Sequence, residues 1–390
     1  MKYPTKIIHG GVDRDPFTGA SSIPIYQVST FAQKDPETFG DYEYARGDNP
    51  TRAALEQNIA LLEGGARGLA FASGMAAISS VLLLFRPGDH LVVGEDIYGG
   101  TYRILTSLFE RWGLESTFVD STDLDALRDA IRPETKAILV ETPSNPTLKI
   151  TDLAAVAAMA REKGLLTITD NTFMTPCLQR PLELGFDIVV HSATKFLGGH
   201  SDLIAGLAVT KDRELGRKLR FIQVAFGAIL GPMDSWLVLR GVKTLGARME
   251  AQQKSAELIA NWLTGVRDVR RVYYPSLAGR EGREIHRRQA SGWGAVVSFE
   301  LSSARRAKAL LRSVKLPLMA VSLGGVESIL SYPATMSHAS MPPAERKRRG
   351  ITDALVRLSV GLEAAEDIME DLERALKKAS GRSDRNRKQG

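Results

Sequence analysis

Six short apolar runs dominate the first half of the chain: His90–Val93, Ser116–Val119, Ala137–Val140, Leu166–Thr169, Asp187–Val190 and Ile204–Val209. Helix-like segments such as Leu124–Ala130 and Leu153–Glu162 lie between them. Near-continuous apolar strands that alternate with helices call for a parallel sheet covered on both faces, an α/β architecture. Such sheets take ligands outside the carboxyl ends of their strands. Polar residues stand at those ends. Ala137–Val140 delivers Glu141 with Asn145 in the next loop, Leu166–Thr169 delivers Asp170-Asn171-Thr172, and Asp187–Val190 delivers Ser192, Thr194 and Lys195. Three consecutive strand ends therefore converge on one crevice.

Lys195 ends the run His191-Ser192-Ala193-Thr194-Lys195 and precedes Phe196-Leu197-Gly198-Gly199-His200. A lysine among apolar and small neighbours is costly to bury charged, so its pKa falls and its amine becomes nucleophilic. The plainer alternative is a lysine snorkelling from a strand end. In Phe71-Ala72-Ser73-Gly74-Met75-Ala76-Ala77 a glycine opens a helix, where free backbone N–H groups and the helix dipole suit a phosphate. Ser-Gly before a helix also serves as an ordinary cap. Asp170 follows a buried strand and needs a cation or donor; a protonated pyridine nitrogen would serve, as would a role as helix N-cap. Tyr98, in Asp96-Ile97-Tyr98-Gly99-Gly100, offers a ring for stacking or for core filling. Arg357, in Leu355-Val356-Arg357-Leu358-Ser359-Val360, suits bidentate recognition of a carboxylate, or an ion pair with Glu363.

The chain has 390 residues, beyond the usual size of one hydrophobic core, so two domains are expected. To about Gly47 it reads as an extended arm. Asn49-Pro50 then caps a helix with Leu55, Ile59 and Leu62 on its apolar face, ended by Gly64-Gly65. After Pro232 a long helical stretch with Trp236, Leu239, Leu245 and Met249 leaves the sheet, and a smaller α+β domain follows from about Ala251. Its strands fall near Val269–Tyr274, Ala295–Leu301, Ser328–Tyr332 and Val356–Val360, and its helices at Ala304–Ser313 and Ala364–Lys377. The expected division is residues 1–48 as the arm, 49–250 as the large domain, 251–378 as the small domain and 379–390 as a tail. From Lys377 onward six cations face one acid, so most of the formal charge of +6 lies at the end of the chain and the body is near neutral. The tail reads as solvated and disordered. Neither nucleic acid nor a membrane is expected as a partner. One cysteine, Cys177, excludes an internal disulfide, and no signal-like or membrane-spanning apolar stretch is present, which points to the cytoplasm.

Taken together, Tyr44-Ala45-Arg46 with Asn49-Pro50-Thr51-Arg52, Ser73-Gly74-Met75, Glu141-Thr142-Pro143-Ser144-Asn145-Pro146, Asp170-Asn171-Thr172, Ser192-Ala193-Thr194-Lys195, Ser322-Leu323-Gly324-Gly325 and Arg357-Leu358-Ser359-Val360-Gly361 resemble the Cys/Met-metabolism family of pyridoxal-phosphate enzymes. The resemblance runs from Ile23-Pro24-Ile25-Tyr26-Gln27 to about Leu376. It implies fold type I, like aspartate aminotransferase, with a parallel-rich central sheet, and a homotetramer built as a dimer of dimers. It implies that Lys195 holds pyridoxal 5′-phosphate as a Schiff base, that Asp170 pairs with the pyridine nitrogen and that Tyr98 stacks on the ring. Ser73, Gly74, Met75, Ser192 and Thr194 would bind the phosphate, with Thr172 also in the cofactor set. Tyr44 and Arg46 would reach the phosphate of a neighbouring subunit. Arg357, with Asn145 and the Ser322 backbone, would hold the carboxylate of a sulfur-containing amino acid, with Leu323 and Glu141 in the same set. No metal is implied.

Within the family, synthases and γ-lyases typically carry glutamate before the Ser-Leu-Gly-Gly motif, where this chain has Val321. Methionine γ-lyases typically have cysteine at the position of Gly100 and Lys-Asp at Gln223-Val224. The segments Ala320-Val321-Ser322 and Met336-Ser337-His338-Ala339-Ser340-Met341-Pro342 resemble β-lyases best. The expected reaction is therefore β-elimination of L-cystathionine to homocysteine, pyruvate and ammonia, with γ-elimination or γ-replacement as the alternative within the family. A non-catalytic binding protein is the alternative outside it, and Lys195, Asp170, Tyr98 and Arg357 all being present speaks against that.

Overall fold

In a computed structural model the described residues are 1–11, 15 and 17–379, and the expected tail lies outside them from residue 380 on. The sheet that positions the site has seven strands: β1 (Arg67–Phe71), β2 (His90–Gly94), β3 (Glu115–Val119), β4 (Thr135–Glu141), β5 (Leu166–Asp170), β6 (Ile188–Ser192) and β7 (Gly206–Thr210). Their order is β1-β7-β6-β5-β4-β2-β3. Six strands run parallel, and β7 runs against both β1 and β6. The parallel-rich sheet expected from the sequence is thus found with one antiparallel strand; β1 was not among the apolar runs, and β7 starts at Gly206 rather than Ile204. An apolar run carries no direction, and Arg67-Gly68-Leu69-Ala70-Phe71 is short and opens with a charge and a glycine.

Two apolar layers cover the sheet. The helix Pro50–Glu63 starts at Asn49, whose side chain accepts from the Thr51 and Arg52 amides, and ends at Gly64 with φ 71°. Only glycine takes that left-handed geometry without strain. Leu55, Ile59 and Leu62 are buried from it against Val189, Leu207 and Val209 of the sheet. Truncating one of them to alanine would cost about 2–5 kcal/mol. On the other face Ala77, Ile78 and Val81 of the helix Gly74–Leu82 meet Leu91, Val93, Val190 and Ala208.

The second sheet has strands β8 (Val269–Tyr273), β9 (Val296–Leu301), β10 (Leu318–Met319), β11 (Ile329–Ser331) and β12 (Leu355–Ser359), in the order β10-β11-β12-β9-β8. It is antiparallel except for the β10–β11 pair. Helices Ala304–Leu311 and Ala365–Ala379 complete its core. The long helix expected after Pro232 is two helices, Pro232–Lys243 and Leu245–Thr264, separated at Thr244. Residue 251 lies inside the second of these, which passes between cores: Met249 packs in the first and Ala256 in the second. Within the N-terminal arm Tyr3–His9 is helical, not extended. No described helix is long and apolar enough to cross a membrane.

Candidate active site

The carboxyl ends of β1, β2, β4, β5 and β6 open onto a cavity of about 440 Å³, which loops of the second sheet close from the other side. The register sets Glu141 of β4 beside Asp170 of β5 and Asp170 beside Val190 of β6. Ser73, Gly74, Met75, Tyr98, Glu141, Asn145, Asp170, Thr172, Ser192, Thr194, Lys195, Ser322, Leu323 and Arg357 all line it. Tyr44 and Arg46 do not: Arg46 Nη1 donates to the Val224 carbonyl at 2.7 Å, and its guanidinium sits 5.6 Å from the centre of the Tyr44 ring, which is half exposed.

Lys195 Nζ donates to Ser322 Oγ at 2.6 Å. Burial first, and then the Arg357 charge, lowers the lysine pKa to about 8. It therefore supplies neutral amine near neutral pH, which a snorkelling lysine would not. Arg357 lies in β12 and is itself buried; Nη1 donates to Asn145 Oδ1 at 2.9 Å and Nη2 to the Ser322 carbonyl at 2.8 Å, while Nε has no partner. Burial pulls its pKa down to about 10. The suggested ion pair with Glu363 does not form, because Glu363 accepts from the Ser328 amide and hydroxyl instead.

Asp170 caps no helix. Its Oδ1 accepts from the Thr172 amide at 3.0 Å, and among the described residues it has no lysine or arginine partner. Burial raises its pKa. Glu141 accepts from the Tyr98 amide at 2.8 Å, and burial, then the Asp170 charge, raises its pKa well above the carboxylate range.

Ser73 caps the helix Gly74–Leu82, its hydroxyl accepting from the Ala76 amide at 3.0 Å. The amides of Gly74 and Met75, in the first turn, have no carbonyl one turn earlier to bond. A Cβ on Gly74 would lie 2.9 Å from Ser192 Cβ, and one on Gly206 only 2.0 Å from the Ser73 carbonyl oxygen. Helix end and strand ends thus press together into a cradle that admits no extra atom. Thr194 lines the cradle, but its hydroxyl is bonded to the Ala205 amide and carbonyl.

Several contributors were not singled out from sequence. Asp96, quoted only as part of a loop, accepts from Ser144 Oγ at 2.6 Å and from the Thr147 hydroxyl, tying the Tyr98 loop to the Asn145 loop. His338 is fully buried behind the cavity, kept neutral with its pKa lowered to about 4 by burial and Arg357. Arg103, Ile204 and Val321 also line the cavity and are exposed. Only Gly206, a glycine opening an apolar strand, carried a signal that sequence reasoning could have used.

A phosphate-bearing pyridine aldehyde fits these residues: an amine held partly neutral, a buried carboxylate lacking a cation, and an uncluttered helix-end cradle. Fold and site together define an enzyme that works through such a cofactor. The family model described as "Cys/Met metabolism PLP-dependent enzyme" matches residues 4–377, and the chain belongs to that family. It is 57% identical over 373 residues to cystathionine beta-lyase MetC of Bacillus subtilis, covering 96% of each chain. It is 52% identical to the cystathionine gamma-lyase of the same organism, covering 96% of this chain and 99% of that one. The crystal structure of cystathionine gamma-lyase from Lactobacillus plantarum, complexed with L-serine, superposes with a TM-score of 0.96 at 47% identity, covering 97% of this chain and all of the other. The fold is that of the type I pyridoxal-phosphate enzymes.

Proposed function

We propose that this enzyme is a carbon–sulfur lyase that cleaves L-cystathionine by β-elimination to homocysteine, pyruvate and ammonia. The observation that carries the reading is the opening of the Lys195 amine, the Arg357 guanidinium and the Asp170 carboxylate into one cavity. Pyridoxal phosphate, when bound, supplies an aldehyde for the substrate amine and a ring that takes up carbanion charge. Asp170 is assigned to the pyridine nitrogen and Tyr98 to the ring face. Ser73, Gly74, Met75, Thr172, Ser192 and Thr194 are assigned to the phosphate end, where Thr194 must share its hydroxyl with Ala205.

Arg357 takes the substrate α-carboxylate. Asn145 and the Ser322 carbonyl fix the plane of the guanidinium, and each Nη keeps a second N–H for the carboxylate. Lys195, neutral in part near pH 8, removes the Cα proton and returns it to the departing sulfur. Ser322 Oγ, 2.6 Å away, holds the amine in line.

β-Cleavage is favoured over γ-cleavage by Val321, whose apolar side chain lines the cavity and is two-thirds exposed. Among the described residues that line the cavity the only carboxylates are Glu141 and Asp170, and position 321 supplies none to draw in a distal ammonium. The relatives named cystathionine beta-lyase at 49–57% identity agree. The enzyme acts in the cytoplasm as a homotetramer of two tight dimers, with Tyr44 and Arg46 completing a partner's phosphate site. Supplying L-cystathionine and identifying the keto acid tests the reaction: pyruvate supports β-cleavage, and 2-oxobutyrate as main product overturns it.

A further inference from the structure

Lys195 and Ser322 meet at 2.6 Å although they hang from different sheets: Lys195 follows β6, and Ser322 lies between β10 and β11. The helix Leu245–Thr264, which passes between the two cores, carries two buried polar side chains one turn apart, Arg248 and Gln252. Arg248 Nη1 donates to the Phe196 carbonyl at 2.7 Å, Nη2 to the Gly241 carbonyl at 2.7 Å and Nε to Thr244 Oγ1 at 3.1 Å. Gln252 Nε2 donates to the Gly325 carbonyl at 2.8 Å and to the Val360 carbonyl at 2.9 Å. Phe196 directly follows Lys195; Gly325 stands three residues after Ser322, and Val360 three after Arg357.

Among the described residues Arg248 forms no ion pair with a carboxylate. A buried cation held only by carbonyls and a hydroxyl costs stability that an apolar residue of the same volume would not. What the guanidinium adds is a planar fork that grips two carbonyls at once. The Gln252 amide spends both of its N–H groups on carbonyls, which fixes its orientation. The two turns are shaped to these grips. A Cβ on Gly199 would collide with Arg248 Nη1, and one on Gly324, at φ 81°, would lie 2.5 Å from the Phe196 amide nitrogen. The Lys195 turn and the Ser322 loop therefore lie against each other, and the helix holds each by a backbone carbonyl.

We propose that Arg248 and Gln252 are positioning residues: from one rigid helix they set the gap between the Lys195 turn and the Ser322 loop, and with it the enclosure of the Lys195 amine. Through Val360 the same helix holds the strand end that carries Arg357, aligning amine and guanidinium. The proposal rests on the roles of Lys195 and Arg357 given above. Neither Arg248 nor Gln252 lines the cavity. The titratable and charged groups that share it with Lys195 are Tyr98, Arg103, Glu141, Asp170 and Arg357, and the variants below leave all of them in place.

Arg248→Lys keeps the charge and loses the fork; Gln252→Met keeps the length and loses both donors. Releasing either grip admits water to the amine and loosens its approach to Arg357. Burial and then that charge hold the lysine pKa down to about 8, so both changes raise it. The full chain, freed of pyridoxal phosphate, is acetylated with trace acetic anhydride across a pH series, and mass spectrometry reads the modification of Lys195. The parent is expected to show an inflection near 8. Each single variant is expected to show one about a unit higher, with roughly tenfold less free amine at neutral pH. The double variant is expected to shift no further than the larger single, because both grips act on one gap; fully additive shifts overturn the proposal. Ile259→Ala, which truncates the second core from the same helix, is expected to lower the melting temperature and leave the inflection in place. An equal shift in Ile259→Ala marks a merely structural role and overturns the proposal. The two variants are independent, so either one that folds decides. A parent inflection at the ordinary lysine value removes the assignment of Lys195, and the proposal falls with it. A parent near 8 with unmoved variants ends the proposal alone.

Discussion

Replacing Arg357 by lysine keeps a positive charge in β12 but removes the planar fork. In the structure Nη1 donates to Asn145 Oδ1 at 2.9 Å and Nη2 to the Ser322 carbonyl at 2.8 Å, and each keeps a second N–H for a ligand. A lysine nitrogen cannot meet Asn145, Ser322 and a substrate carboxylate with the same geometry. The variant should therefore lose one to two charge-assisted hydrogen bonds to substrate, each contributing about 1.5–3 kcal/mol. A loss of about 3 kcal/mol lowers kcat/KM roughly a hundredfold. Because the α-carboxylate is bound throughout the reaction, most of the loss should appear in KM rather than kcat. The assay is steady-state release of keto acid from L-cystathionine, with cofactor content checked by absorbance so that lost occupancy is not mistaken for lost affinity. A KM within threefold of the parent in fully loaded Arg357→Lys would refute the assignment of this guanidinium to the carboxylate.

Further outcomes follow from the same geometry. The rate at which stripped enzyme takes up pyridoxal phosphate should rise with pH through about 8, as Lys195 loses its proton. Since the Arg357 charge helps lower that pKa, Arg357→Gln should move the inflection upward; an unchanged or lower inflection contradicts the electrostatic account. Gly206→Ala should sharply reduce phosphate affinity and thermal stability, because its Cβ would collide with the Ser73 carbonyl, and a melting curve with a cofactor titration reads both. Mixing inactive Lys195→Ala with inactive Arg46→Ala subunits should restore part of the activity if Arg46 serves a neighbour's site. Absence of complementation after verified subunit exchange would place Arg46 outside it.

How much of this was legible beforehand depended on the range of the interaction. The ends of β4, β5 and β6 were readable because their buried apolar runs are short and end in polar residues that a core would reject. Lys195, Asp170 and Arg357 stood out for the same reason, as charges set into apolar surroundings. Strand direction was not readable, so antiparallel β7 was missed. The helix break at Thr244 was hidden because the apolar pattern continues across it. The Gly206–Ser73 approach, the Asp96–Thr147 link and the Gln252–Val360 bond join residues far apart in the chain, and each looks ordinary in its own segment. Thr194 shows the converse: its hydroxyl faces the cradle as the motif suggests, yet bonds to Ala205.

The central claim is that one lysine amine, at the end of β6, carries the cofactor. Reducing the holoenzyme with borohydride, digesting it and locating the pyridoxyl mass by tandem spectrometry tests this most directly. The account predicts the label on Lys195 alone, with no label and no visible absorbance in Lys195→Ala. A pyridoxyl group found on any other lysine, or a Lys195→Ala enzyme that keeps both colour and turnover, would contradict it.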